Sequence, residues 1–434
     1  MVATPETTAT ASPHKFTAHQ RKVVFAAAIG NVVEWVDWGL YAVFVKIISQ
    51  EFFPSGDSVA SLLTTLGFFA IGFIMRPVGA AFLGSYADKF GRKKGLILSI
   101  ALMSGSALVM ALTPSYAVIG VWATAILLVC RLVQGFSAGG EFGASSALLV
   151  ESAGKGRRAF AGSWQQVSVA GGTLIASFMG TIFTWFLSPE ALLSWGWRVA
   201  FLVGAALGLI GIWLRVSVRE TESFVSHKPA ITSQVHPLKA MLFHHPKAAL
   251  RVAGITIAGT LTYYIWLNYL PTYANITTGL PLKEAFLSQT ISIAVFMVLL
   301  PFAGMLSDKI GRKKTLGAFA VCFILFSYPL LAMLSNNFWS LLFVQLAGII
   351  FLLGYSCNCA AIMAEQFPPE VRATGIALPY ALAVAIFGGT APYITTWMHF
   401  NGFINYIWLY VAVAALISLI VYLRMPETNN ADFE

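Results

Sequence analysis

The sequence predicts an all-α membrane protein, with twelve transmembrane helices in two six-helix halves around a central cavity. Three observations carry that expectation. The chain of 434 residues is 58% hydrophobic and 10% charged, with a mean hydropathy of +0.76; a soluble domain carries about 25% charge. Apolar stretches near the length that crosses a bilayer, about 20 residues, recur at 22–48, 59–83, 95–113, 119–150, 159–187, 198–216, 248–275, 284–306, 315–334, 338–363, 373–398 and 403–424. The chain also repeats itself. GSYADKFGRKK at 84–94 returns as GMLSDKIGRKK at 304–314, each after the second apolar stretch of its half.

Residues 1–20, rich in Thr, Ala, Ser and Pro, read as a disordered tail with no cleavable signal peptide. The first half spans 21–216 and the second 248–424. The polar segment 217–247, with Pro229, Pro237 and Pro246, links them, and a short tail occupies 425–434. Of the 27 Lys and Arg, all but Lys46, Arg198, Lys283, Arg76 and Arg131 fall on one side of this topology. Positive residues gather on the cytoplasmic side, so both termini are expected in the cytoplasm. The same bias accounts for the net charge of +9, and nucleic acid is not expected as a partner.

The four cysteines, Cys130, Cys322, Cys357 and Cys359, sit in apolar stretches, which argues against a disulfide framework. Cys357 and Cys359 are two residues apart and point to different helix faces. Neither they nor His244–His245 is expected to hold a metal, and no cofactor is expected. No histidine lies mid-span, which argues against a histidine proton relay.

The charges inside the spans carry the chemistry. GNVVEWVDWG at 30–39 places Glu34 and Asp37 in the first span, where a carboxylate costs about 2.5–3.5 kcal/mol at the bilayer centre. At about 100° per residue, Asn31, Glu34, Asp37, Trp38 and Tyr41 share a face. Neighbouring carboxylates repel, so one of the pair is expected to bind and release a proton near working pH. Simple pairing with an arginine is the alternative. In the fourth span Arg131, Gln134, Ala138 and Glu141 share a face, with Arg131 about 16 Å from the helix start. Arg131 either clamps a substrate carboxylate or pairs with Glu34, Asp37 or Glu141. Arg76, before the helix-kinking Pro77, lines the cavity or pairs with one of those acids. Glu34, Asp37 and Glu141 are therefore the expected proton-coupling groups. Arg131, Arg76, Asn31, Tyr41 and Gln134 are the expected substrate contacts, with Gln165 and Gln166 from the fifth span.

The second half has no intramembrane charge and offers hydroxyls and amides instead. Tyr264 and Asn268, at i and i+4, share a face and belong either to the binding site or to an interfacial aromatic belt. At the cytoplasmic helix ends, Asp88 and Asp308 are placed to cap helices of the opposite half. Arg92 is within reach of Glu151, and Arg312 of Glu365. A weaker echo joins Glu151, Arg158 and Gly162 to Glu365, Arg372 and Gly375. No nucleophile–base pair, metal constellation or phosphate-binding loop is present, so an enzyme is not expected. A sensor would need an output domain larger than the 217–247 segment.

The doubled G-x-x-x-D-K-x-G-R-K-K loop resembles the signature of the major facilitator superfamily. With GNVVEWVDWGLY, GFIMRPVGA, RLVQGFSAGGEFG, WGWRVAF and AIFGGTAPY, nearly the whole chain resembles the metabolite:proton symporter family. That resemblance implies the major facilitator fold, residence in a bacterial inner membrane, the repeated loops acting as an inner latch, and proton-coupled uptake of a small organic anion. AEQFPPEVRATGIALPYALAVAIFGGTAPY and GTLTYYIWLNYLPTYA look most like the α-ketoglutarate permease branch. A dicarboxylate such as α-ketoglutarate is the first expectation; citrate or another tricarboxylate, shikimate, or a zwitterionic osmolyte such as betaine or proline are the alternatives. The osmosensing branch carries a C-terminal coiled coil, and no heptads follow Arg424 here. The choice between proton and sodium stays open, and a monomer is the default for this fold.

Overall fold

In lipid a backbone satisfies its own polar groups only within a helix or a closed barrel. The computed structural model is helical accordingly, with no strand among the described residues. It describes residues 18–54, 57–90, 92–139, 141–151, 153, 156–216, 241, 243–368 and 371–429. Most of the expected N-terminal tail, nearly all of the linker and residues 430–434 lie outside that set.

Among the described residues twelve long rods follow one another. In the first half they are α1 (Ala18–Val43, continued by Val45–Phe52), α2 (Ser58–Phe90), α3 (Arg92–Leu112), α4 (Val121–Ala138, then Glu141–Glu151), α5 (Arg158–Phe186) and α6 (Trp197–Val216). In the second they are α7 (Pro246–Thr278), α8 (Leu282–Ile310), α9 (Arg312–Ala332), α10 (Phe338–Ala364), α11 (Arg372–Phe400) and α12 (Ile407–Arg424). Local chemistry sets the ends. Gly279 closes α7 in the left-handed conformation at φ 76°. Asn337 opens α10 by accepting from the N–H of Trp339 at 2.8 Å and of Ser340 at 3.4 Å.

The two halves pack by one plan. Helix α2 runs against α4 and α3 against α6, just as α8 runs against α10 and α9 against α12; α5–α8 and α2–α11 join the halves. Lipid gives no hydrophobic drive between helices, so close backbone packing through small residues takes its place. A Cβ at Gly79 would fall 1.7 Å from the Phe136 carbonyl oxygen, and one at Gly139 2.0 Å from that of Arg76. The two helices that carry Arg76 and Arg131 are therefore in backbone contact. Gly79→Val is expected to force them apart at a cost above about 1–3 kcal/mol, read as a lower Tm of the purified protein. An unchanged Tm would show that the seam can relax.

Two turns on the second half's inner helices depart from α-helical geometry. Helix α7 widens into a π-turn over Tyr264–Tyr269, and α11 does so over Val384–Gly388; such turns recur at functional sites. They meet, because a Cβ at Gly388 would lie 2.5 Å from the Thr260 hydroxyl oxygen and 2.7 Å from the Tyr264 ring. Large apolar side chains such as Trp122, Phe186, Trp213, Leu250 and Trp339 cover the outside, as a lipid-facing surface requires.

Candidate functional site

Among the described residues, the charges in the middle of the first half form two pairs. Arg76 donates from Nη2 to Glu34 Oε1 at 3.3 Å, and its guanidinium lies over Phe73 at 4.5 Å, Trp38 at 4.8 Å and Trp35 at 5.6 Å. Arg131 Nη1 stands 3.7 Å from Asp37 Oδ2 and donates to Gln134 Oε1 at 2.5 Å. Its guanidinium lies against the rings of Trp38 at 4.3 Å and Tyr41 at 4.2 Å. Arg131 is 0% exposed. Burying two charges is worthwhile only when they pair and when rings or dipoles replace the lost water. Among the described residues the second pair is incompletely satisfied: both Asp37 oxygens, and Nε and Nη2 of Arg131, have no hydrogen-bond partner there.

Other expected contacts are committed to neighbouring helices. Asn31 Nδ2 donates to Ser168 Oγ at 2.7 Å and to the Gln165 carbonyl at 3.4 Å, tying α1 to α5. The Tyr41 hydroxyl donates to the Thr65 carbonyl at 3.0 Å, tying α1 to α2. Gln166 donates to Gln165 Oε1 at 3.0 Å. The side chains of Glu141, Asp88 and Arg92 lie outside the described part of the structure.

A small cavity of about 20 Å³ lies between the halves, room for about one water molecule and too tight for a metabolite as it stands. Trp35 of α1 and Gln166 of α5 line it from the first half. Thr260, Tyr263 and Tyr264 of α7, Tyr355 and Cys359 of α10 and Tyr380 of α11 line it from the second. No charged side chain is among these residues. Trp35 meets Tyr263 edge-on at 5.8 Å, and Phe73 meets Tyr264 edge-on at 5.3 Å. Arg76 thus sits one ring behind the cavity wall, and Arg131 sits deeper. The Tyr264 hydroxyl is buried without a hydrogen-bond partner among the described residues. Asn268 is buried in the same wide turn, its Nδ2 also unpartnered. Tyr263 is 5% and Tyr264 2% exposed, so neither ring faces lipid.

At the helix ends beside the repeated GRKK loops a second network crosses between the halves. Asp308 of α8 accepts from the N–H of Ala159 at 3.0 Å and of Phe160 at 2.9 Å, capping α5. The start of a helix carries unpaired N–H groups and positive potential, so a carboxylate belongs there. The glutamates noted as an internal echo pair crosswise. Glu151 of the first half meets Arg372 at 2.6 Å, and Glu365 of the second meets Arg158 at 3.7 Å. Arg312 binds Asp308 at 2.9 Å and Glu365 at 3.3 Å within the second half. Burial pushes the Glu365 carboxyl above its ordinary range, against the pull of Arg312, Thr428 and Arg158.

Sequence reasoning missed three residues here. Glu427, Thr428 and Asn429, read only as tail, fold back onto this network: Thr428 donates to Glu365 at 2.5 Å, and Asn429 to the Asp308 carbonyl at 2.9 Å. The available signal was Gly311, a residue with no side chain to cap the helix that starts at Arg312. Trp35, Tyr355 and Cys359 were also missed as cavity wall, because helical periodicity gives a face but not its neighbour. At the opposite end, Lys46 of the first half donates to Asn275 of the second at 2.7 Å.

The chain matches the family model of the Major Facilitator Superfamily over residues 27–378, with a second match over 287–434. It is 36% identical over 430 residues to the α-ketoglutarate permease of Escherichia coli (strain K12), covering 98% of this chain and 99% of the permease. It is 32% identical to the glycine betaine/proline/ectoine/pipecolic acid transporter OusA of Dickeya dadantii (strain 3937), over 94% of this chain and 84% of the transporter. Its fold is similar to the proton:xylose symporter XylE, with a TM-score of 0.76 at 16% identity, over 96% of this chain and 98% of that one. The helical architecture and these matches agree that the chain belongs to the major facilitator superfamily.

Proposed function

We propose that this chain is a proton-coupled symporter of a bacterial inner membrane that takes up a small organic anion, first of all a dicarboxylate of the α-ketoglutarate kind. One observation carries the reading: two buried acid–arginine pairs stand behind the wall of the cavity between the halves, Glu34–Arg76 one ring away and Asp37–Arg131 deeper. An arginine held by an acid is released when that acid takes up a proton. An incoming carboxylate competes for the same guanidinium. Proton and anion then stabilise each other's binding, which is what symport requires. The α-ketoglutarate permease among the relatives supports the dicarboxylate.

In this reading Glu34 and Asp37 exchange the proton, with Glu141 of the same helical face as Arg131 as a third acid. Arg76 is the nearer clamp, and Arg131 with Gln134 the deeper countercharge. Gln165, Gln166, Tyr264 and Asn268 serve the rest of the substrate, while Asn31 and Tyr41 act through the helix ties they make. Asp308, Arg312, Glu365 and Glu151, with Asp88 and Arg92 of the first repeat, close the cytoplasmic side.

The test is uptake of labelled α-ketoglutarate into proteoliposomes under an inward proton gradient. Accumulation above equilibrium that collapses with a proton ionophore is the expected result, and replacing sodium in the medium checks the ion. No uptake by folded protein would remove this substrate. A second reading rests on the five aromatic rings that line an uncharged cavity, a wall that also suits the quaternary ammonium of a zwitterion. Uptake of betaine, with no competition by dicarboxylates, would favour it.

A further inference from the structure

The segment after α12 does more than end the helix. At Pro426 the chain turns back beneath the start of α9. Glu427 Oε1 accepts from the Arg312 N–H at 3.0 Å and Oε2 from the Lys313 N–H at 3.1 Å. Those groups are unpaired in any helix that starts there, and the residue before them, Gly311, brings no side chain. Gly311 holds φ 103°, and a Cβ on it would fall 2.8 Å from Glu427 Oε2. The glycine both makes the turn and leaves room for the carboxylate. Glu427 also accepts from the N–H of Thr428 at 3.1 Å and of Asn429 at 3.2 Å, which fixes the stretch just after it. Burial alone would raise the Glu427 carboxyl, but these four backbone donors outweigh it and hold it below its ordinary value. It is therefore ionised at neutral pH.

The next two residues reach the groups that join the halves. Thr428 donates to Glu365, which also takes Arg158 from the first half. Asn429 donates to the carbonyl of Asp308, whose carboxylate caps α5. Met425, Thr428 and Asn429 are 2%, 5% and 7% exposed, so the segment is packed rather than draped. These tail contacts all lie within the second half, while Asp308 and Glu365, which they hold, reach across to the first.

We propose that Glu427, Thr428 and Asn429 are positioning residues of the cytoplasmic gate, holding Asp308, Arg312 and Glu365 in the arrangement that receives α5 and Arg158. When the halves part on the inside, the tail contacts remain while the cross-half contacts break. The receiving site then stays formed for reclosure. Without the tail, reclosure must order the site again, and the inside-closed state loses population. This rests on the reading of the inner network as a gate, and not on the substrate.

Cys359, buried and part of the cavity wall, is a native reporter of which side is open. In the full chain with Cys130, Cys322 and Cys357 replaced by serine, its reaction with an impermeant maleimide would be followed from each face of oriented vesicles. Glu427→Ala is expected to raise the cytoplasmic-side rate about fivefold, the usual weight of a lost helix cap, and to lower the outer-side rate. Thr428→Val and Asn429→Ala shift it the same way by less. Asp308→Ala separates the two layers of the idea. If Asp308→Ala shifts the rates and none of the tail variants does, the tail has no positioning role. If Asp308→Ala changes nothing either, the gate reading itself fails. A rise of equal size from both faces means general loosening and overturns the proposal. Should Glu427→Ala not fold, Thr428→Val and Asn429→Ala carry the same test.

Discussion

Asp37→Asn is expected to abolish proton-driven accumulation while leaving substrate exchange across the membrane in place. The asparagine keeps the shape of the side chain and an oxygen toward Arg131, but it can no longer take up or give back a proton. Exchange needs only that the loaded carrier change sides, so it survives. Accumulation needs the free energy of the proton, and the accumulation ratio is expected to fall on the order of a hundredfold, the upper end of ordinary site coupling. Glu34→Gln makes the corresponding test for the Arg76 pair. The measurement is labelled substrate in proteoliposomes, once with an imposed gradient and once preloaded with unlabelled substrate. If both variants accumulate like the parent, neither acid carries the proton.

Arg131→Ala is expected to damage the fold before it damages transport. It leaves Asp37 buried at 3% exposure with its only described cation gone, and it empties the space beside Trp38 and Tyr41. Removing one partner of a buried pair costs about 3–5 kcal/mol. Combining Arg131→Leu with Asp37→Asn removes both charges and is expected to restore most of the lost Tm without restoring coupling. Arg131→Lys keeps the charge but loses the planar fork and its stacking, and should fall between. Strictly additive Tm losses for the two sites would show that Asp37 and Arg131 do not act as a pair.

The architecture was legible because its signals are long and redundant. Twelve apolar runs, the one-sided Lys and Arg, and the repeated GRKK loop each specify the same fold. Which side chains share a face was also legible, as with Glu34, Asp37 and Tyr41. What faces them was not. Asn31 and Tyr41 look like cavity residues on a helical wheel, yet their hydrogen bonds run to α5 and α2. Tyr264 and Asn268 sit at i and i+4, but the turn between them is π-helical, so the simple wheel misplaces one against the other. Trp35 lies between the carboxylate positions in sequence and forms the wall that separates Arg76 from the cavity; only packing reveals a partition. Glu427 was invisible for another reason. A cap supplied from more than a hundred residues away leaves no local spacing to read.

The two buried pairs have an electrical consequence. Each is neutral as it stands, so when the first half tilts, the membrane voltage does no net work on either pair. An uncompensated charge moved through the full field would be worth about 2.3 kcal/mol per 100 mV. Protonating Glu34 or Asp37 leaves its arginine as a net positive charge. In the proposed symport the same tilt would then be driven by voltage as well as by the pH difference, until an anion arrives to cancel the charge.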